Sequence, residues 1–451
     1  MIRIGTGGLS LLLTDAASAC TQAMTLFGVL QSASRFFRQA HKRMDVWENI
    51  LAEKGGTARR LGSIGETRWL SKSITLEKIF GTFRSPNTGL YTEMIRAFQD
   101  ISEDKSFQQS TRSEARMLMD SFLKFETILT SFVFLRIYKI TTPLSLYLQT
   151  KGLDMLQAWR MVEAVAYQIN EISRDFEEVH EKAKAFCADV NEALEDTDLE
   201  IASYLPKKRA RKTPRCAGEQ CHDDRVSGEL EGYKVNTFNV VMDSMVENLK
   251  ILFLKHNQLY QDFECFDPRR FSELRKQGVP EDALEKISEI LGDRVKKEAL
   301  RSQLESFMEA FPRLVRSLSE EFETTTISEE DEDANESTTE MQTNRRCRSC
   351  FTCAYQVLYN HGLNSATYSE VYIVYHFLLT LAVTQVECER SFSKLKLIKT
   401  RLRATLTQEN LECFMLMGIE SDILNRIPLG KVVDSLASTS SELKRLLSLH
   451  L

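Results

Sequence analysis

Glu389 lies in the run Val386 to Ser393, VECERSFS. A carboxylate in such a place has two readings. Near a helix start it is a favourable charge at the positive end of the helix dipole. Joined by two other acids converging from separate parts of a fold, it holds divalent metal ions for phosphoryl chemistry. Spacing alone supplies no partner acids. Arg68 and Trp69 open the amphipathic run WLSKSITLEKIF. An indole beside a guanidinium can stack on a base while the guanidinium holds a phosphate. A tryptophan at a helix start also serves as core. Lys207, Lys208, Arg209, Arg211, Lys212 and Arg215 place six positive charges within nine positions. That density suits a nuclear import signal, and equally a solvated linker. Cys347, Cys350 and Cys353 form C-x2-C-x2-C, with Cys216, Cys221 and His222 further upstream. Two thiolates so spaced can share a tetrahedral zinc. A matching fourth ligand is missing nearby, and a spacing of three also lines the cysteines along one helix face. The expectation is therefore no metal and no cofactor.

The segments that carry these residues read as helices. Gly and Pro number only 19 and 8 in 451 residues, which favours helix over turn-rich architectures. Leu156, Trp159, Val162, Ala166, Ile169, Phe176, Val179, Ala183 and Phe186 recur in steps dominated by three and four, predicting one long helix. Phe238, Val241, Met245, Leu249, Leu252 and Leu259 predict a second apolar face. Residues 1–8 read as an atypical leader, 9–196 as a first helical block, and 197–230 as a basic linker. Residues 231–318 continue the helices. Residues 319–346 are acidic, rich in Ser and Thr, and too poor in apolar groups to offset chain entropy, so disorder is expected there. Residues 347–451 are apolar and helical again, with Thr407 a candidate N-cap and Glu409 in the first turn.

The net charge of −6 rules out a general polycation, so any nucleic-acid contact must be local. The run Leu9–Leu13 is too short to span a membrane. Ten cysteines without a regular frame fit a reduced, intracellular compartment. Neither a membrane nor a small-molecule substrate is expected as a partner.

The stretch ECERSFSKLKLIKTRLRATLTQENLECFMLMGIE resembles the C-terminal signature of hAT-superfamily (hobo/Activator) transposases. More narrowly it resembles their zinc-finger MYM-type branch of transposase-derived proteins. ETRWLSKSITL and YKVNTFNVVMDSMVENLKILF resemble two further family segments, and the likeness extends over most of residues 9–200 and 230–425. The resemblance implies a ribonuclease-H-like α/β core interrupted by a large helical insertion. It implies metal-dependent DNA strand cleavage and transfer, with two aspartates and a glutamate holding Mg²⁺. By resemblance Glu389 is that glutamate, Trp69 is the tryptophan that stacks on a flipped base with Arg68 beside it, and the final segment is the dimerisation region. GLSLLLTDAAS, residues 8–18, resembles the piece that follows the family's C-x-x-H motif, with Gly7 where the histidine would fall. The expectation is that the chain begins just after that motif, without either aspartate and without a zinc-bearing DNA-binding domain.

The expected fold is mainly α, a helical insertion domain plus the C-terminal remnant of a ribonuclease-H-like α/β core. The expected function is that of a catalytically inactive nuclear protein, dimeric or higher. It would self-associate through Phe392, Leu395, Ile398, Leu402, Leu411, Phe414, Met415 and Ile419 and touch DNA only weakly. The alternative is an incomplete gene model of an active, Mg²⁺-dependent transposase in which Glu389 regains its partners.

Overall fold

The computed structural model describes residues 6–53, 69–148, 154–207, 228–252, 257–317, 322–323, 346–347, 349–380, 395, 398, 407–419, 424 and 427–440. The chain divides into two compact units, Met1–Val383 and Thr384–Leu451.

The first unit is built around α7 (Phe125–Leu148). From Phe125 to Tyr138 every residue except Glu126 is buried, as expected of a helix apolar on all sides. Its hydroxyl residues satisfy themselves on the preceding turn, Thr130 Oγ1 donating to the Glu126 carbonyl at 2.6 Å and Ser131 Oγ to that of Thr127 at 2.9 Å. Against α7 pack α2 (Thr21–Arg38), α4 (Trp69–Phe80), α8 (Met155–Ile172) and α9 (Glu177–Ala193). Also in this unit are α1 (Thr6–Ser18), α3 (His41–Glu53), α5 (Tyr91–Glu103), α6 (Gln109–Phe122), α10 (Glu229–Tyr233) and α11 (Val240–Leu252). Phe36, Phe37, Phe98 and Phe122 form one aromatic cluster in the core, with Phe37 and Phe98 stacked at 4.9 Å.

The predicted long helix over 156–186 is two helices. Its stripe is buried as expected except for the half-buried Ala166, but α8 ends at Ile172 and α9 begins at Glu177. The break contains neither Gly nor Pro. Arg136 of α7 holds it open, donating to the Asp175 carbonyl and to Asp175 Oδ2, each at 2.6 Å. Phe238, Val241, Met245 and Leu249 are buried as predicted, although a π-helical segment, Lys234–Asn239, precedes α11.

Next come α12 (Asn257–Phe263), α13 (Phe271–Gln277), α14 (Glu281–Leu291), α15 (Lys297–Leu314), α16 (Phe351–Asn360) and α17 (Ser369–Thr380). A fully buried Asp267 anchors the turn after α12. It accepts from Arg269 Nε at 2.9 Å and pairs with Arg160 of α8 at 3.0 Å. The second unit contains α18 (Gln408–Ile419) and α19 (Leu429–Ser438).

The fold is mainly α, as expected. The expected α/β remnant is not seen among the described residues. The only strand pairing there joins Phe322–Glu323 to Arg346–Cys347. Residues 351–378 instead bury apolar side chains at helical steps, Phe351, Ala354, Val357 and Leu358 on α16 and Val371, Val374, Tyr375 and Leu378 on α17.

Candidate self-association region

Helix α16 starts on Cys350, whose sulfur accepts the Cys353 N–H at 3.4 Å. It ends in a Schellman turn. Gly362, at φ +65°, follows the cap residue His361, and the Leu363 N–H donates to the Leu358 carbonyl at 2.9 Å. The reversal brings α17 back along α16. Gln303 of α15 fixes the start of α17, its Oε1 accepting the Glu370 N–H at 2.8 Å. Tyr375 then locks the pair to the core by donating to the Phe266 carbonyl at 2.7 Å.

The opposite face of this pair carries a ladder of rings. Tyr359, 60% exposed, stacks on Tyr355 at 6.4 Å. Tyr355 stacks on Tyr372 of α17 at 5.1 Å, and Tyr372 on the exposed His376 at 6.1 Å. The Tyr355 and Tyr372 hydroxyls share a hydrogen bond of 2.9 Å. That bond and partial burial push the Tyr355 phenol up to about 12. Neither α16 nor α17 carries a Lys or Arg. What this face offers is stackable aromatic surface.

In the second unit, Thr407 caps α18 as predicted, its Oγ1 accepting the Asn410 N–H at 3.4 Å. No residue of α18 is buried. Leu411, Met415, Gly418 and Ile419 are half-buried, and Phe414 is 37% exposed. Leu416, 65% exposed, and Met417 stand open on the same helix, and Leu424, Ile427, Val432 and Leu436 follow them. Leu395 and Ile398 are half-buried.

Other sequence-predicted positions fall differently. Glu389, Phe392, Leu402 and Arg68 lie outside the described residues. Trp69 is the first residue of α4, and its side chain is likewise outside them. Lys207 is exposed, while Lys208, Arg209, Arg211, Lys212 and Arg215 lie outside the described residues. One group among the described residues has metal-ligand chemistry: Glu177, His180 and Glu181 on the first turns of α9. His180 Nδ1 sits 3.9 and 3.8 Å from the two carboxylates, but Lys184 already neutralises Glu181 at 3.4 Å. Acidic side chains there also suit the positive end of the helix.

Residues 357–423 match the family model of the hAT family C-terminal dimerisation region. The match takes in the end of α16, all of α17 and all of α18, and so three of the four ladder rings. No curated protein and no solved structure matches the chain. Sequence reasoning had singled out the α18 stripe but not the ladder. Its signal was present as two aromatic i, i+4 pairs, Tyr355 with Tyr359 and Tyr372 with His376.

Proposed function

We propose that this chain is a transposase-derived nuclear protein that self-associates through its C-terminal region and performs no strand transfer by itself. The observation that carries the reading is the dimerisation-region match over 357–423, on helices that leave Phe414, Leu416, Met417 and Tyr359 open. Exposed apolar and aromatic side chains of this kind, taken in each unit by itself, mark interaction surfaces. A family dimerisation region names a second copy as its occupant. The chain carries no helix, among the described residues, long and apolar enough to cross a membrane.

The finer parts rest on the resemblance of VECERSFS and its flanks to the zinc-finger MYM-type branch. They are a ribonuclease-H-like remnant around Glu389 and weak, salt-sensitive DNA contact through Arg68, Trp69 and the basic linker. A single carboxylate such as Glu389 cannot by itself hold two Mg²⁺ ions. The six basic residues from Lys207 to Arg215 would direct nuclear import. Under the second reading, an incomplete gene model, the same Glu389 would serve an active transposase once joined to an upstream D…D…C-x-x-H segment. In-frame sequence encoding that segment ahead of Met1 decides for it.

Sedimentation velocity on the full chain tests self-association. The wild type is expected to run as a dimer or larger, and Phe414→Asp combined with Leu416→Asp as a monomer of unchanged helix content. A monomeric wild type at tens of micromolar would remove the proposal (about −6 to −7 kcal/mol of association is then lacking).

A further inference from the structure

The cysteines at the head of α16 do not belong to the self-association surface, and their geometry is particular. Cys350 is the N-cap of a ten-residue helix, in extended conformation, and Cys353 is the third residue of its first turn. The Cys353 N–H donates to the Cys350 sulfur at 3.4 Å, and the two sulfurs are themselves 3.4 Å apart. Cys350 is half-buried and reachable from solvent, whereas Cys353 is buried beneath it. Negative charge on the Cys350 sulfur is favoured by the helix N-terminus and by that N–H. A disulfide needs the sulfurs to close from 3.4 Å to about 2.05 Å. Side-chain rotation at an N-cap supplies a shift of that size.

We infer that Cys350 and Cys353 form a reversible dithiol–disulfide site that exchanges with small disulfides of the glutathione type. In the first step the Cys350 thiolate attacks one sulfur of the oxidised tripeptide. One glutathione thiolate leaves and takes up a proton. In the second step the Cys353 thiol loses its proton, attacks the Cys350 sulfur of the mixed disulfide, and expels the second glutathione thiolate, which is protonated in turn. The two protein thiols lose two electrons and two protons, and one glutathione disulfide becomes two glutathione thiols. Accessibility assigns the order, with the half-exposed Cys350 attacking and the buried Cys353 resolving. Two buried cysteines of the first unit, Cys187 and Cys265, provide internal controls. Burial pushes the Cys187 thiol up to about 12 and raises that of Cys265 further, so neither competes as a thiolate.

The test uses the full chain equilibrated in mixtures of oxidised and reduced glutathione, quenched by alkylation and mapped by mass spectrometry. The expected result is a Cys350–Cys353 crosslink that forms in oxidised glutathione and disappears in excess reduced glutathione, with Cys187 and Cys265 alkylated only after unfolding. Cys353→Ser should arrest the reaction as a glutathione adduct on Cys350, and Cys350→Ser should abolish both adduct and crosslink. The wild-type map alone decides if either variant misfolds. A crosslink through Cys347 instead, or a Cys350 adduct that the wild type never resolves, overturns the assignment. So does a pair that stays fully alkylatable in oxidised glutathione. The oligomeric state does not enter the readout, so self-association can fail while this site stands, and the reverse.

Discussion

Arg136 is 6% exposed, yet it serves three oxygens: the Asp175 carbonyl, Asp175 Oδ2 and Glu178 Oε2, each at 2.6 Å. Its guanidinium also lies 5.7 Å from the Phe83 ring centroid. Replacing it with Met keeps the volume but strips these oxygens of their donor. Both carboxylates are nearly half-exposed and can rehydrate, so the cost falls below that of a fully buried pair. Arg136→Met is expected to lower the unfolding free energy by about 2 kcal/mol, measured by urea denaturation. The Arg136 hydrogen bond holds the Asp175 carboxyl below the usual aspartate range. Its contribution is therefore full above the unfolded value of about 3.9 and fades as pH falls through the lowered folded value. Asp175→Asn should be less stable than wild type at pH 7, and the gap should close on acidification below pH ~4. A gap independent of pH would mean the asparagine differs for steric reasons. None of this was legible in the sequence, where Arg136 is one basic residue in an apolar run. Glu389, by contrast, is singled out by resemblance alone and lies outside the described residues, and its neighbours in sequence say nothing about what converges on it. The tyrosines of the ladder were present as i, i+4 pairs, but that they stack across two helices depends on the Schellman turn between them.

At the scale of elements, periodicity located the buried faces and missed where they bend. The stripe from Leu156 to Phe186 is buried nearly throughout, yet it runs over two helices, because a tertiary contact and not a local breaker ends α8. The end of α4 is a second case. Gly81, at φ +78°, takes its N–H to the Glu77 carbonyl at 2.8 Å, and the chain then doubles back so that the Leu90 N–H reaches the Lys78 carbonyl at 2.8 Å. A Cβ on Gly81 would lie 2.2 Å from the Pro86 carbonyl oxygen, a backbone atom with little room to move. Gly81→Ala therefore combines a left-handed backbone with a clash, and should destabilise by about 3 kcal/mol. That would appear as a lower thermal midpoint with native-like helix content. An Ala variant as stable as wild type would show that the 81–90 turn can be redrawn without loss. Nothing in GTFRSPNTGL marks Gly81 as the strained position, since the constraint comes from a segment five residues on folding against it.

For the whole molecule, the contrast between the two units carries the argument. The first has a continuous core with α7 at its centre, while in the second no described residue is buried. Helices of twelve and ten residues are marginal in water by propensity alone. Burial against a partner would supply what propensity lacks, and under the proposed self-association a second copy on Phe414, Leu416 and Met417 would do so in a concentration-dependent way. A partner at about 100 times its dissociation constant adds ~2.7 kcal/mol to the state that binds it. Amide exchange in Gln408–Ile419 should therefore slow as protein concentration rises, while amides in the centre of α7, protected by the core of the first unit, should keep one rate. Hydrogen–deuterium exchange over about a hundredfold range of concentration separates the two cases. If α18 is equally protected at both ends of that range, its order is intramolecular, and its open apolar side chains do not hold a second copy. If protection falls on dilution together with the sedimentation coefficient, self-association and the ordering of α18 are one equilibrium.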